Sequence, residues 1–125
     1  PHPRRFIAGK SMGGRMATLL AADAEAPAID GVICLGYPFH APGKPTQTRT
    51  AHLSAIACPT LILQGERDPM GNRAMVEALG LRPPLQLAWL PDGNHDFTPR
   101  KAAGVSAADN LAAALTHIDG FIARG

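Results

Sequence analysis

The chain has few of the features that would commit it to a membrane, a nucleic acid or a metal. Its longest apolar runs, "VICL" and "TLIL", fall far below the length of a membrane span. Charged residues make up only 18% and the net charge is +2, so neither nucleic acid nor an anionic membrane is an expected partner. Its two cysteines, Cys34 and Cys58, are too far apart for a zinc motif and too few for a disulfide framework. Both are expected as buried thiols in a reducing compartment. No signal-peptide pattern opens the chain, which begins at Pro1, and a cytoplasmic location is expected. Internal repeats and low-complexity tracts are absent as well. What is present is an ordinary globular composition, 46% apolar over 125 residues, enough for one domain with a real core.

Along the chain, apolar runs bounded by Gly and Pro alternate with helix-period segments. Residues 5–8 read as a strand that ends at Gly9. Met16, Leu19 and Leu20 then keep helical spacing from Met12 to about Ala24, until Pro27 breaks the pattern. Residues 32–35 form a second strand, a continuous apolar run of the kind covered on both faces. Residues 36–51 contain three prolines and no periodicity, and read as a long surface loop before a short helix at 52–57. A third strand at 60–64, a helix at 72–81 and a fourth strand at 85–90 follow. The last helix starts near Ser106, where Ser106 and Asp109 resemble a capping box. Ala108, Leu111, Leu115, Ile118 and Ile122 run along one of its faces. This alternation predicts an α/β fold: a three-layer α/β/α arrangement with about four parallel strands, right-handed crossovers and flanking helices. In such sheets ligands bind beyond the carboxyl ends of the strands, so chemistry is sought just after each strand.

The stretch Gly9-Lys10-Ser11 fits two incompatible motifs. In a phosphate-binding loop the first glycine would fall on Arg4. The apolar run also reads as strand right up to Gly9, leaving no flexible residues to wrap N–H groups around an anion. No later strand ends in a magnesium-binding Asp. The same residues continue into Gly9-Lys10-Ser11-Met12-Gly13, the G-x-S-x-G of a nucleophile elbow, where a strand turns sharply into a helix. Gly9 and Gly13 are expected because a Cβ at either place would collide with backbone, while Gly14 and Ala17 let the helix lie close to the sheet. With three serines in the chain, an accidental match is expected ~0.015 times. The helix beneath Ser11 would also turn its free N–H groups and positive dipole end toward a developing oxyanion.

A serine nucleophile needs a general base, and the base needs a carboxylate to orient it. Of the five histidines, His2 lies at the start, His117 in the last helix near Asp119, and His52 in a short helix with a structural role. His95, in the loop leaving the fourth strand, is the preferred base, and His40, after the second strand, is its rival. Asp68, just past the third strand and followed by Pro69, is the preferred carboxylate, with Glu66 second. Asp92 and Asp96 lie too near His95 in sequence to aim at its ring and suit turn chemistry instead. Tyr37 and His40 are candidate substrate contacts. Lys44, Arg49 and His40 read as a solvated basic loop rather than a site for an acidic substrate. Strands one and three would stand roughly 10 Å apart at ~4.8 Å per step, a gap that His95 can fill from its loop. No metal or cofactor is expected.

In this order, Gly9-Lys10-Ser11-Met12-Gly13, Gly65-Glu66-Arg67-Asp68 and Gly93-Asn94-His95 resemble the signature elements of the α/β-hydrolase superfamily. The strings "AGKSMGGRMA", "GYPFHAPGKP" and "PTLILQGERDPMG" are most similar to a lidless branch related to dienelactone hydrolases. In particular they are similar to the testis-expressed and NSL-complex-subunit-like hydrolases. The resemblance implies Ser11 as nucleophile, His95 as base, Asp68 as orienting acid and the Met12 N–H as an oxyanion donor. It implies a metal-independent hydrolase acting on a small ester, lactone or thioester through an acyl-enzyme. A serine nucleophile speaks against haloalkane dehalogenase or epoxide hydrolase chemistry. The resemblance also implies about four more strands before the elbow, with a loop carrying a second oxyanion N–H. The chain is therefore expected to be the carboxyl-terminal half of a longer domain, with its first strand an exposed edge through which it can dimerise. A non-catalytic scaffold of the same fold is the alternative.

Overall fold

The computed structural model describes residues 3–25 and 28–124; the expectations at His2 and Pro27 lie outside them. Strands β1 (Phe6–Lys10), β2 (Gly31–Leu35), β3 (Thr60–Gly65) and β4 (Leu85–Leu90) form one sheet in the order β1-β2-β3-β4, and every pair is parallel. Helices α1 (Met12–Ala22) and α2 (Arg73–Ala78) and a 3-10 turn at Ala51–Ala55 pack on one face through Ala17, Val76 and Leu53. Helix α3 (Ala107–Arg124) packs on the other through Ala114 and Phe121. The three-layer α/β/α expectation therefore holds.

The apolar runs of β2 and β3 lie between two helical layers, which is why they carry no alternation. β1 runs past Gly9 to Lys10, because Lys10 pairs with Leu35 and the Ser11 N–H then donates to Leu35 O at 2.8 Å. α2 is shorter than the periodicity suggests. Asn72 stays outside as its cap, accepting the Met75 N–H at 2.9 Å. The capping box that opens α3 is reciprocal: Asp109 accepts the Ser106 N–H at 2.8 Å and Ser106 accepts the Asp109 N–H at 3.0 Å.

Two expectations need correction. The loop after β2 is a surface loop only in part. Tyr37 and Phe39 are fully buried with ring centroids 4.7 Å apart, and within 36–51 only 42–48 and Ala51 lie exposed. Two large rings offer more area to the core than the prolines beside them can keep out. The face of α3 is also turned relative to expectation, whereas α1 approaches the sheet through Gly14 and Ala17 as expected. On α1 it is Gly14, Ala17 and Thr18 that face the sheet, while Met12, Met16 and Leu20 point outward at 48%, 56% and 45% exposure. On α3, Asn110, Ala114 and Phe121 face inward, while Leu111, Leu115 and Ile122 are exposed. Close approach selects the small residues: a Cβ on Gly14 would stand 2.9 Å from Gly9 O and 3.2 Å from the Cys34 Cβ.

Both cysteines are free thiols. Cys34 is buried, which pushes its pKa up to about 12, whereas Cys58 is only half-buried.

Candidate active site

The carboxyl ends of β1, β3 and β4 bring three side chains together. Ser11 follows β1 with φ 53° and ψ −119°, a conformation that L-residues rarely adopt, and α1 begins at the next residue. Gly9 makes that turn possible, since a Cβ there would overlap the backbone of Gly13 and Gly14. The expectation for Gly13 is corrected: a Cβ there would meet nothing within 4 Å among the described residues, and Gly14 is the close-packed partner. The reason is helical rotation, which turns Gly14 toward β1 and β2 and Gly13 away. Met12 opens α1, where backbone N–H groups have no partner within the helix.

Asp68 sits in the turn after β3 and is fully buried. Its Oδ1 accepts the Met70 N–H at 2.8 Å, and its Oδ2 accepts the His95 Nδ1–H at 2.7 Å. On the far side of the ring, the Ser11 hydroxyl donates to His95 Nε2 at 2.8 Å. Asp68, His95 and Ser11 thus form one hydrogen-bonded line. With Nδ1 protonated toward the carboxylate, Nε2 carries the free lone pair that faces the hydroxyl.

The loop carrying His95 is fastened at several points. Asn110 on α3, 1% exposed, donates to Pro91 O at 3.0 Å and Phe97 O at 2.8 Å. Asn94 caps the tip, its Oδ1 accepting the N–H groups of Asp96 and Thr98. Asp92 accepts from the Arg100 backbone N–H at 2.8 Å and from its guanidinium, and Arg67 lies 3.1 Å away; the Arg100 side chain chiefly lowers the Asp92 pKa to about 2. Asp92 and Asp96 therefore serve the loop and not the imidazole. Glu66, the second-choice carboxylate, is also engaged elsewhere, accepting the Asp92 N–H and pairing with Arg73.

Tyr37 and His40 do not reach this line. Tyr37 has no exposed surface to offer a substrate, and its hydroxyl donates to Arg49 O at 2.7 Å. His40 is 6% exposed and donates from Nδ1 to Ala41 O at 2.8 Å, so it is tied to its own loop. Both are corrected to structural residues, drawn inward by the buried rings of that loop. His52 pairs through Nε2 with Thr18 Oγ1 at 2.8 Å, its pKa lowered by burial and by Arg15. His117 is exposed on α3.

Several site residues were not singled out by sequence. Lys10, the variable residue of the elbow, pairs with Asp96 at 2.9 Å and so joins the elbow to the His95 loop, holding the Asp96 carboxyl below its ordinary value. Asn110 is hidden in a helix pattern, though a lone Asn on the buried face of α3 is a signal. Gln64 lies near the end of an apolar strand, where a polar residue is itself unusual. No cluster of three or more His, Cys, Asp or Glu able to hold a metal occurs among the described residues.

This fold is similar to that of a solved esterase domain from a Rhodothermus marinus protein, with a TM-score of 0.56 and 17% identity. The match covers 92% of this chain and 58% of that one, so the chain spans little more than half the length of that domain. At this identity the likeness speaks to the fold. The sequence itself matches the family model of the alpha/beta hydrolase domain over residues 1–123, and the chain belongs to that family.

Proposed function

We propose that the protein is a serine hydrolase that cleaves a small carboxylic ester, lactone or thioester through an acyl-enzyme. The observation that carries this reading is the unbroken line from Asp68 through His95 to Ser11, at 2.7 and 2.8 Å. The family and the esterase neighbour support the same class of chemistry.

On this reading His95 Nε2 takes the Ser11 proton as Oγ attacks the acyl carbon. The carbonyl π-electrons move to oxygen, and the Met12 N–H at the positive end of α1 stabilises that oxyanion. When the intermediate collapses, the bond to the leaving alkoxide or thiolate breaks and His95 returns the proton to it. Water, deprotonated by the same nitrogen, then releases the acid and restores Ser11. Asp68 keeps the Nδ1 proton in place and balances the charge the ring acquires. Lys10 and Asp96 stand at the rim and contribute no proton step.

A second reading, a non-catalytic scaffold of the same fold, has one observation in its favour: the exposed apolar residues on α1 and α3. A fluorophosphonate probe separates the two. The enzyme reading expects covalent labelling of the protein that disappears in Ser11→Ala, along with hydrolysis of p-nitrophenyl esters. A folded protein that takes no label sinks it.

A further inference from the structure

We propose that Gln64 is a positioning residue, a buried amide that fixes the Asp68 carboxylate at the angle His95 requires; the inference rests on the hydrolase reading above. Gln64 is the second-last residue of β3 and is fully buried. Its side chain shares a face of the strand with Ile62, which packs in the core under α1. An apolar residue would fill that place at no desolvation cost, so a buried amide there needs a full set of partners.

It has them, and all belong to the site's scaffold. Oε1 accepts the Tyr37 N–H at 2.9 Å. Nε2 donates toward Tyr37 O at 3.1 Å, Gly71 O at 3.0 Å and Asp68 Oδ2 at 3.2 Å. The amide therefore joins the loop after β2 to the turn that carries Asp68. Its orientation is fixed chemically. Flipping it would set Oε1 against the carboxylate and an N–H against the Tyr37 N–H.

The oxygen that Gln64 reaches is the one that accepts from His95, while Met70 N–H occupies the other. The carboxylate cannot rotate without losing a bond on one side or the other. Gln64 touches neither Ser11 nor the place where an acyl group would sit, so its effect passes through Asp68 and His95.

Two variants test the assignment. In Gln64→Glu the protonated acid keeps one acceptor and one donor, whereas the ionised acid sets two carboxylates side by side in a buried site. For this variant kcat/KM is expected to fall by about tenfold or more relative to the parent as pH rises and the introduced acid ionises. Gln64→Leu keeps the bulk but leaves Asp68 one donor short, and its kcat is expected to drop about 10- to 100-fold with KM little changed. Circular dichroism verifies folding, and if Gln64→Leu does not fold, the Gln64→Glu profile decides. Proton NMR of the His95 Nδ1–H, shifted far downfield by its bond to Asp68, reads the positioning without turnover. That signal is expected to move or broaden in both variants. If it stays in place and the folded variants keep the parental pH profile, Gln64 merely fills space and the assignment is overturned. If the parent protein hydrolyses nothing but the signal still responds, the hydrolase reading falls while the positioning role stands.

Discussion

Ser11 is held in a backbone conformation that costs it about 1–3 kcal/mol, tolerated because the register of β1 on β2 and the start of α1 leave it no other. Replacing it by glycine removes the penalty together with the nucleophile. Ser11→Gly is therefore expected to abolish ester hydrolysis and to raise stability by about 1 kcal/mol, read as a higher midpoint by calorimetry. A lower midpoint would mean that the turn is relaxed rather than strained. At this scale much of the candidate site could be read from the chain. Ser11, Asp68 and His95 each follow a strand and carry glycine nearby, and such punctuation survives in one sequence. Gln64 could not be read in the same way, because its meaning lies in partners at Tyr37, Asp68 and Gly71 that only the folded chain assembles. Tyr37 and His40 mislead for the converse reason. They follow a strand end but turn inward.

The element that decides whether the line forms is the segment between β4 and α3, since it carries His95 on no regular structure of its own. It lies directly over Gly65, where a Cβ would overlap the carbonyls of Gly93 and Asn94. Gly65→Ala is expected to cost about 1–3 kcal/mol of stability. By displacing the imidazole it should also cut kcat/KM about 100-fold. A thermal melt and an esterase assay on the same preparation check both. The segment is also sensitive to acid. Asp92 has its folded pKa lowered from 3.8 to about 2, so it contributes stability above the unfolded value, and that contribution is lost as pH falls from about 4 toward 2. Arg100→Ala should bring the acid transition to higher pH, followed by far-ultraviolet circular dichroism. An unchanged transition would show that Arg100 does not set the carboxyl's affinity for protons. Element type and order were legible throughout because the apolar runs and their breakers are local signals. The small residues Gly14 and Ala17 marked the inward face of α1, but which face of α3 turns inward was not legible. Periodicity marks an apolar stripe but cannot tell whether this sheet or something else covers it.

At the scale of the whole molecule, the sheet ends in β1, which among the described residues pairs only with β2, so its outer edge carries no strand partner there. Outward apolar residues stand on helices of both faces: Met12, Met16 and Leu20 on α1, Leu111, Leu115 and Ile122 on α3. Their spacing along α1 is one residue per turn, which makes a stripe rather than scattered exposure. An open strand edge and apolar helix faces together favour association, since pairing satisfies the edge while the stripes leave water. The 125-residue chain is therefore expected to self-associate, with a light-scattering mass above that of the monomer at micromolar concentrations. Charged substitutions on the helices, Met16→Lys with Leu115→Glu, are expected to shift it toward the monomer without lowering its melting temperature, because neither side chain is buried. A monodisperse monomer in the unsubstituted chain would mean that the edge and the stripes are tolerated singly in water, and that nothing needs to cover them.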